Sequence, residues 1–166
     1  KNDFIRGEGS FEKAFKNYTG DKRVIINITL LKDNYSELES VVVLAKQHHL
    51  RGVTCNLYIN NPTCPDSLLI DKERRALIIK EMRRVKKIYP NDLLLSKSMI
   101  DWLAKADHSG YCFWRDDGAL HFDNKWNTRR CFFADGYCFN CGGFAGSMQN
   151  PFWFGIKNIK EAFKLV

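Results

Sequence analysis

The chain reads as an α/β fold with a parallel sheet, followed by a small cysteine-rich, irregular β unit and a C-terminal helix. Three observations carry this reading. Apolar strand-like runs alternate with helix-period segments, the order that builds βαβ units with right-handed crossovers. The first run, Val24 to Leu30, is nearly continuous in β-branched and apolar residues, the pattern of a strand covered on both faces. From about Ser96 the texture changes, and Gly110 to Met148 is rich in aromatic residues, glycine and cysteine.

Taken in order, Ser10 is placed to cap a helix whose Phe11, Ala14, Phe15 and Tyr18 share one face, with Gly20 as its stop. After the strand Val24 to Leu30, Ser36 and Glu39 form a capping box opening a helix from Glu37 to about His49, with Leu38, Val41, Val42 and Ala45 inward. Gly52 releases the chain into a second strand, Val53 to Ile59, ended by Asn60, Asn61 and Pro62. Asp71 caps a long helix with Ile78, Met82, Val85 and Tyr89 on its buried stripe, and Pro90 ends it. Leu93 to Leu95 predicts a short third strand. A helix containing Met99, Ile100 and Leu103 follows, then a hairpin centred on Asp116-Asp117-Gly118, and Ile156, Ile159, Phe163 and Val166 mark a last amphipathic helix.

In 166 residues, a 45% hydrophobic content supports one core with a small appendage and excludes a disordered chain. No apolar run approaches the roughly 20 residues of a membrane-spanning helix. Lys1 to Ser10 holds no apolar signal segment, and a cytoplasmic location is expected. The net charge of +7 raises the question of nucleic acid. Much of the excess lies on one helix, where Lys72, Arg74, Arg75, Lys80, Arg83, Arg84, Lys86 and Lys87 surround the apolar stripe, and reads as a solvated helix face rather than a binding patch.

Four of the six cysteines, Cys112, Cys131, Cys138 and Cys141, fall in one stretch with the pattern C-x18-C-x6-C-x2-C, while Cys55 and Cys64 stand apart. Without a secretory segment, metal binding is favoured over a disulfide scaffold. Thiolates suit tetrahedral zinc or an iron–sulfur cluster. Zinc ribbons present two C-x2-C knuckles and only Cys138 with Cys141 has that spacing, so a cluster is favoured, with zinc as the alternative occupant and unmetallated core thiols as the reading without a metal. Gly142 and Gly143 allow the backbone close to such a centre. His108 and His121 are read as packed or exposed rather than ligating, and Asp116 and Asp117 as turn residues.

Cys112, the Asp117-Gly118 turn, Cys131 and the Cys138-x2-Cys141 pair together resemble the auxiliary-cluster tails, called SPASM or twitch domains, of radical S-adenosylmethionine enzymes. Ser10 to Phe15 is similar to a barrel helix of that superfamily, Val24 to Asn34 to the strand and loop after it, and Leu38 to Ile59 to the next helix and strand. The resemblance implies a partial parallel (β/α) barrel over residues 1–95 and a cysteine-rich tail over 96–166 holding an iron–sulfur cluster, of the 4Fe-4S kind, on Cys112, Cys131, Cys138 and Cys141. It implies S-adenosylmethionine as cofactor of the complete enzyme, where a reduced cluster cleaves it and the resulting radical abstracts a hydrogen from the substrate. Asn27, Asn56 and Tyr58 are then candidate contacts inside the barrel, and Asn60, Asn61 and Cys64 lie on a loop near cofactor or substrate; ordinary hydrogen bonding of the strand residues is the alternative.

The sequence departs from the superfamily in two places. The C-x3-C-x2-C loop that holds the reducing cluster is absent, and a full SPASM ending continues with cysteines where this chain has Ser147 and Pro151. The first departure predicts barrel strands upstream of Lys1 and association with that missing half or with a second copy. The second predicts one four-cysteine cluster, or one with a site left open, rather than two clusters. The competing function is a non-catalytic zinc- or cluster-binding module that recognises a partner or nucleic acid through its basic surface.

Overall fold

The computed structural model describes residues 7–58, 69–110, 112, 121–122, 128–129 and 138–141. The chain is α/β. Helix α1 (Ser10–Tyr18) leads to strand β1 (Ile25–Leu30), a 3₁₀ turn (Tyr35–Glu37), helix α2 (Leu38–Gln47), strand β2 (Gly52–Leu57), helix α3 (Lys72–Ile88) and helix α4 (Lys97–Lys105). Beyond these, β3 (His121–Phe122) pairs antiparallel with β4 (Thr128–Arg129), and a second 3₁₀ turn covers Cys138–Asn140.

β1 and β2 are adjacent and parallel, in register from Ile25 opposite Gly52 to Leu30 opposite Leu57, and α2 joins them. The third run adds to the other edge of β2 through a parallel bridge between Val53 and Leu93. Val53 N donates to Asp92 O at 2.8 Å and Leu94 N to Val53 O at 2.7 Å. Gly52 makes this approach possible. Its φ is 151°, and a Cβ there would lie 2.5 Å from Asp92 O and 2.9 Å from Leu94 Cγ.

Strand alternation sorts the side chains. Ile26, Ile28, Leu30, Val53, Cys55, Leu57, Leu93 and Leu95 join Leu38, Val42 and Ala45 of α2, Ile78, Ile79, Met82 and Val85 of α3, and Met99, Ile100 and Leu103 of α4 in one core. The intervening positions are mostly polar: Asn27 and Thr29 are exposed, Asn56 is half-buried and Thr54 is buried, with Ile25 half-buried and Leu94 buried on the same face. β1 is therefore covered on one face, not on both as its apolar run suggested. Among the described residues the sheet does not close into a barrel.

Helix ends differ from expectation in two places. Gly9, with φ 72°, is the cap of α1, and Ser10 is already its first helical residue. The expected Ser36–Glu39 capping box does not form: the chain enters α2 through the 3₁₀ turn, and Glu39 turns its carboxylate to Arg84 and Tyr89. A two-partner interaction with a cation and a phenol outcompetes one local amide. α1 lies on the outside, with Phe11 41% and Tyr18 52% exposed, its Phe15 ring packing edge-on against His48 at 4.9 Å. Thr19 Oγ1 reaches His48 Nδ1 at 3.0 Å, and Gly20 N donates to His48 O at 2.9 Å.

Candidate functional site

The site forms where α3 and α4 meet the C-x2-C knuckle. Asp71 caps α3, accepting from Arg74 N at 2.6 Å. One turn later the helix buries Arg75 on the same stripe as Ile78, Ile79, Met82 and Val85. Ser96 caps α4 by accepting from Met99 N at 3.0 Å, which sets Leu103 and its carbonyl against Arg75. α4 then ends abruptly. Ala106 takes φ 63° and ψ −52°, and Asp107 N donates to Lys105 O at 2.7 Å, a γ-turn of the strained, positive-φ kind.

That turn presents its backbone to the knuckle. Cys141 N donates to Ala106 O at 3.0 Å, and His108 N donates to Cys138 O at 2.8 Å. Arg75 completes the attachment: Nη1 donates to Leu103 O at 2.9 Å and to Cys141 O at 3.0 Å, while Nη2 donates to Asn140 O at 3.3 Å and to Asn140 Oδ1 at 2.8 Å. Asn140 Nδ2 donates in turn to Ile70 O at 3.3 Å. The turn carrying Cys138 and Cys141 is thus tied to the entry of α3, to Arg75 within α3 and to the exit of α4.

Burial shapes the electrostatics. Arg75 is 4% exposed, and every acceptor of its Nη groups just named is neutral. Desolvation lowers its pKa, and attraction to Cys141 acts in the opposite direction. Its Nε is buried without an acceptor among the described residues. His108 is buried and stacked on Trp102 with centroids 3.9 Å apart and planes at 7°. Desolvation, then Lys105 and Arg75, push its pKa down to about 4, so the imidazole is neutral at neutral pH. Cys55 lies wholly inside the core, where burial raises its thiol pKa.

The expected site residues separate into groups. Cys138 and Cys141 sit together on the knuckle, and Cys112 is half-buried. Cys131, Cys64, Asn60, Asn61 and the Asp116-Asp117-Gly118 turn lie outside the described residues. Among the described residues no three His, Cys, Asp or Glu side chains gather as a metal-holding group. Asn27 and Asn56 fall on the polar sheet face with Thr54, whose Oγ1 is 3.5 Å from Asn27 Oδ1, whereas Tyr58 packs against the core.

Arg75 is the correction. Counted above with the solvated face, it is buried, because the carbonyls of residues 103, 140 and 141 replace its water. A signal for it existed: Arg75 precedes Ile78, Ile79, Met82 and Val85 at helical spacing, on the inward stripe. Of the rest of the basic face, Lys72, Lys80, Arg83, Arg84 and Lys87 are exposed as expected, with Arg83 paired to Asp101 at 2.7 Å and Arg84 to Glu81 at 2.7 Å, while Arg74 and Lys86 are half-buried.

Two thiols on one turn are half of the donor set that a thiolate-bound metal or cluster would need. Cys138 and Cys141 would supply two ligands from one turn, whose carbonyls hold the buried Arg75 guanidinium with its spare Nε N–H. No protein-family model, curated protein or solved structure matches the chain.

Proposed function

We propose that the chain is the C-terminal portion of a radical S-adenosylmethionine enzyme, binding an auxiliary iron–sulfur cluster through Cys112, Cys131, Cys138 and Cys141. The observation that carries this reading is the Cys138-x2-Cys141 knuckle, held in place from three sides rather than hanging from the fold. Metal ligands need such support, because a preformed turn orders two donors before the metal arrives.

The barrel part of the reading draws support from strand order. β1, β2 and the Leu93 segment neighbour one another in sequence order, and their helices contribute to one core on one side. Right-handed crossovers between consecutive neighbours keep helices on the outer face, whereas a doubly wound sheet reverses its order to cover both faces. The opposite face carries Asn27, Thr29, Thr54 and Asn56, with Asn27 and Thr29 of β1 exposed, and a parallel sheet with polar residues open on one side is rare in finished folds. That face would line the barrel interior, with Asn27 and Asn56 as cofactor or substrate contacts. The cluster, when bound, would supply an electron-transfer centre.

Protein made with added iron and reconstituted without oxygen should be brown and contain iron and sulfide in near-equal amounts. Cys138→Ala with Cys141→Ala should lose both. Stoichiometric zinc without sulfide under those conditions rejects the cluster and favours the non-catalytic module. The reading frame upstream of Lys1 should encode C-x3-C-x2-C; a natural start codon immediately before Lys1 rejects the enzyme.

A further inference from the structure

We infer that Arg75 is a positioning residue of the cysteine site, fixing the Cys138–Cys141 turn through its carbonyls and offsetting the negative charge of the thiolate-ligated metal. The inference rests on the reading of Cys138 and Cys141 as metal ligands, and on nothing about which metal they hold.

Three features of the structure lead to it. The guanidinium is 4% exposed, and buried cations are ordinarily paired with an anion. Its described acceptors are instead the carbonyls of Leu103, Asn140 and Cys141 and the amide oxygen of Asn140, all neutral. Its fifth N–H, on Nε, is buried with no acceptor among the described residues. Placing a permanent cation and a spare donor in the interior is costly unless an anion arrives nearby. The turn that Arg75 grips carries two groups of suitable chemistry, the thiols of Cys138 and Cys141, which become anionic when they ligate a metal, and Cys141 already acts on the Arg75 charge. Four thiolates around a divalent ion, or around a 4Fe-4S core, leave a net negative centre. A guanidinium behind the knuckle reduces that charge without becoming a ligand.

Fixing the turn and offsetting charge are separable. Arg75→Lys keeps the cation and loses the fork; Arg75→Gln loses the cation and keeps partial hydrogen bonding. Asn140→Ala keeps the cation and loses one docking contact. The full chain would be loaded with Co²⁺ and, separately, with Zn²⁺. The thiolate-to-cobalt charge-transfer band would be recorded, and release of zinc to a chromophoric chelator would be timed. Loss of partners around metal ligands typically weakens metal binding about 10- to 100-fold. Arg75→Gln is expected to release zinc at least about tenfold faster than the parent, with Arg75→Lys intermediate. Asn140→Ala should also release faster while keeping the cobalt band position of the parent. Equal release from Arg75→Gln and the parent overturns the inference, and so does equal release from Arg75→Gln and Arg75→Lys. If Arg75→Gln fails to fold by circular dichroism, the Arg75→Lys and Asn140→Ala pair decides: parental release from both overturns it. A parent chain with no cobalt–thiolate band rejects the ligand reading itself, a different failure from any variant result.

Discussion

Ala106 holds a backbone conformation that L-residues avoid, at φ 63° and ψ −52°, and its carbonyl accepts from Cys141 N. Positive-φ strain of this kind costs on the order of 1–3 kcal/mol and persists where surrounding bonds over-determine it. Ala106→Gly should therefore stabilise the chain, by about 1 kcal/mol once the added freedom of the unfolded glycine is offset, read as a higher urea midpoint. Gly52 is the opposite case. Gly52→Ala places a methyl group 2.5 Å from Asp92 O, so the Leu93 segment must move away, at a cost of about 2 kcal/mol or more by the same measurement. His108 makes stability depend on pH. Its imidazole takes up a proton near 6.5 when unfolded and near 4 when folded, so the unfolded chain binds more protons across that interval. Stability should fall as pH drops from about 6.5 towards 4, and His108→Phe, which keeps a ring on Trp102, should flatten that fall. Asp107, held below its ordinary carboxylate range by Ser109, contributes only at lower pH.

At the scale of elements, α3 stands on Asp71 at one end and on Lys86 at the other, where Nζ donates to Pro90 O at 2.8 Å and Leu93 O at 3.0 Å. Asp71→Ala removes the cap and should cost about 1 kcal/mol in chemical denaturation; an unchanged midpoint would mean that tertiary packing alone sets the helix start. The strands, helix order and the cap at Asp71 were legible because each depends on local spacing or on one side chain meeting a nearby amide, and the Ser96 cap, of the same local kind, went unread. The Ser36–Glu39 box misled because a distant residue, Arg84, competes for Glu39. The knuckle was visible as a spacing, Cys138-x2-Cys141, while its attachment was not: Arg75 lies 65 residues from Asn140, and no local pattern encodes that partner. The apolar stripe of α1 read correctly as helix, yet periodicity says nothing about whether a face finds a partner, and Phe11 and Tyr18 stay exposed.

For the molecule as a whole, one open edge stands out. Among the described residues β1 pairs only with β2, and the exposed rings of α1 and the polar face of β1 lie in the same part of the chain. Edge strands and exposed aromatic side chains promote association. The chain should show concentration-dependent self-association in light scattering. A monodisperse monomer up to high concentration would count against association through that edge. The core under that sheet carries its own timekeeper. Cys55 faces Ile28 in the middle of the parallel pair, fully enclosed, with a thiol that burial makes a poor nucleophile. An alkylating reagent can reach it only when the strands part, so at saturating reagent the rate of labelling at Cys55, followed by peptide mass spectrometry, equals the frequency with which the native chain opens.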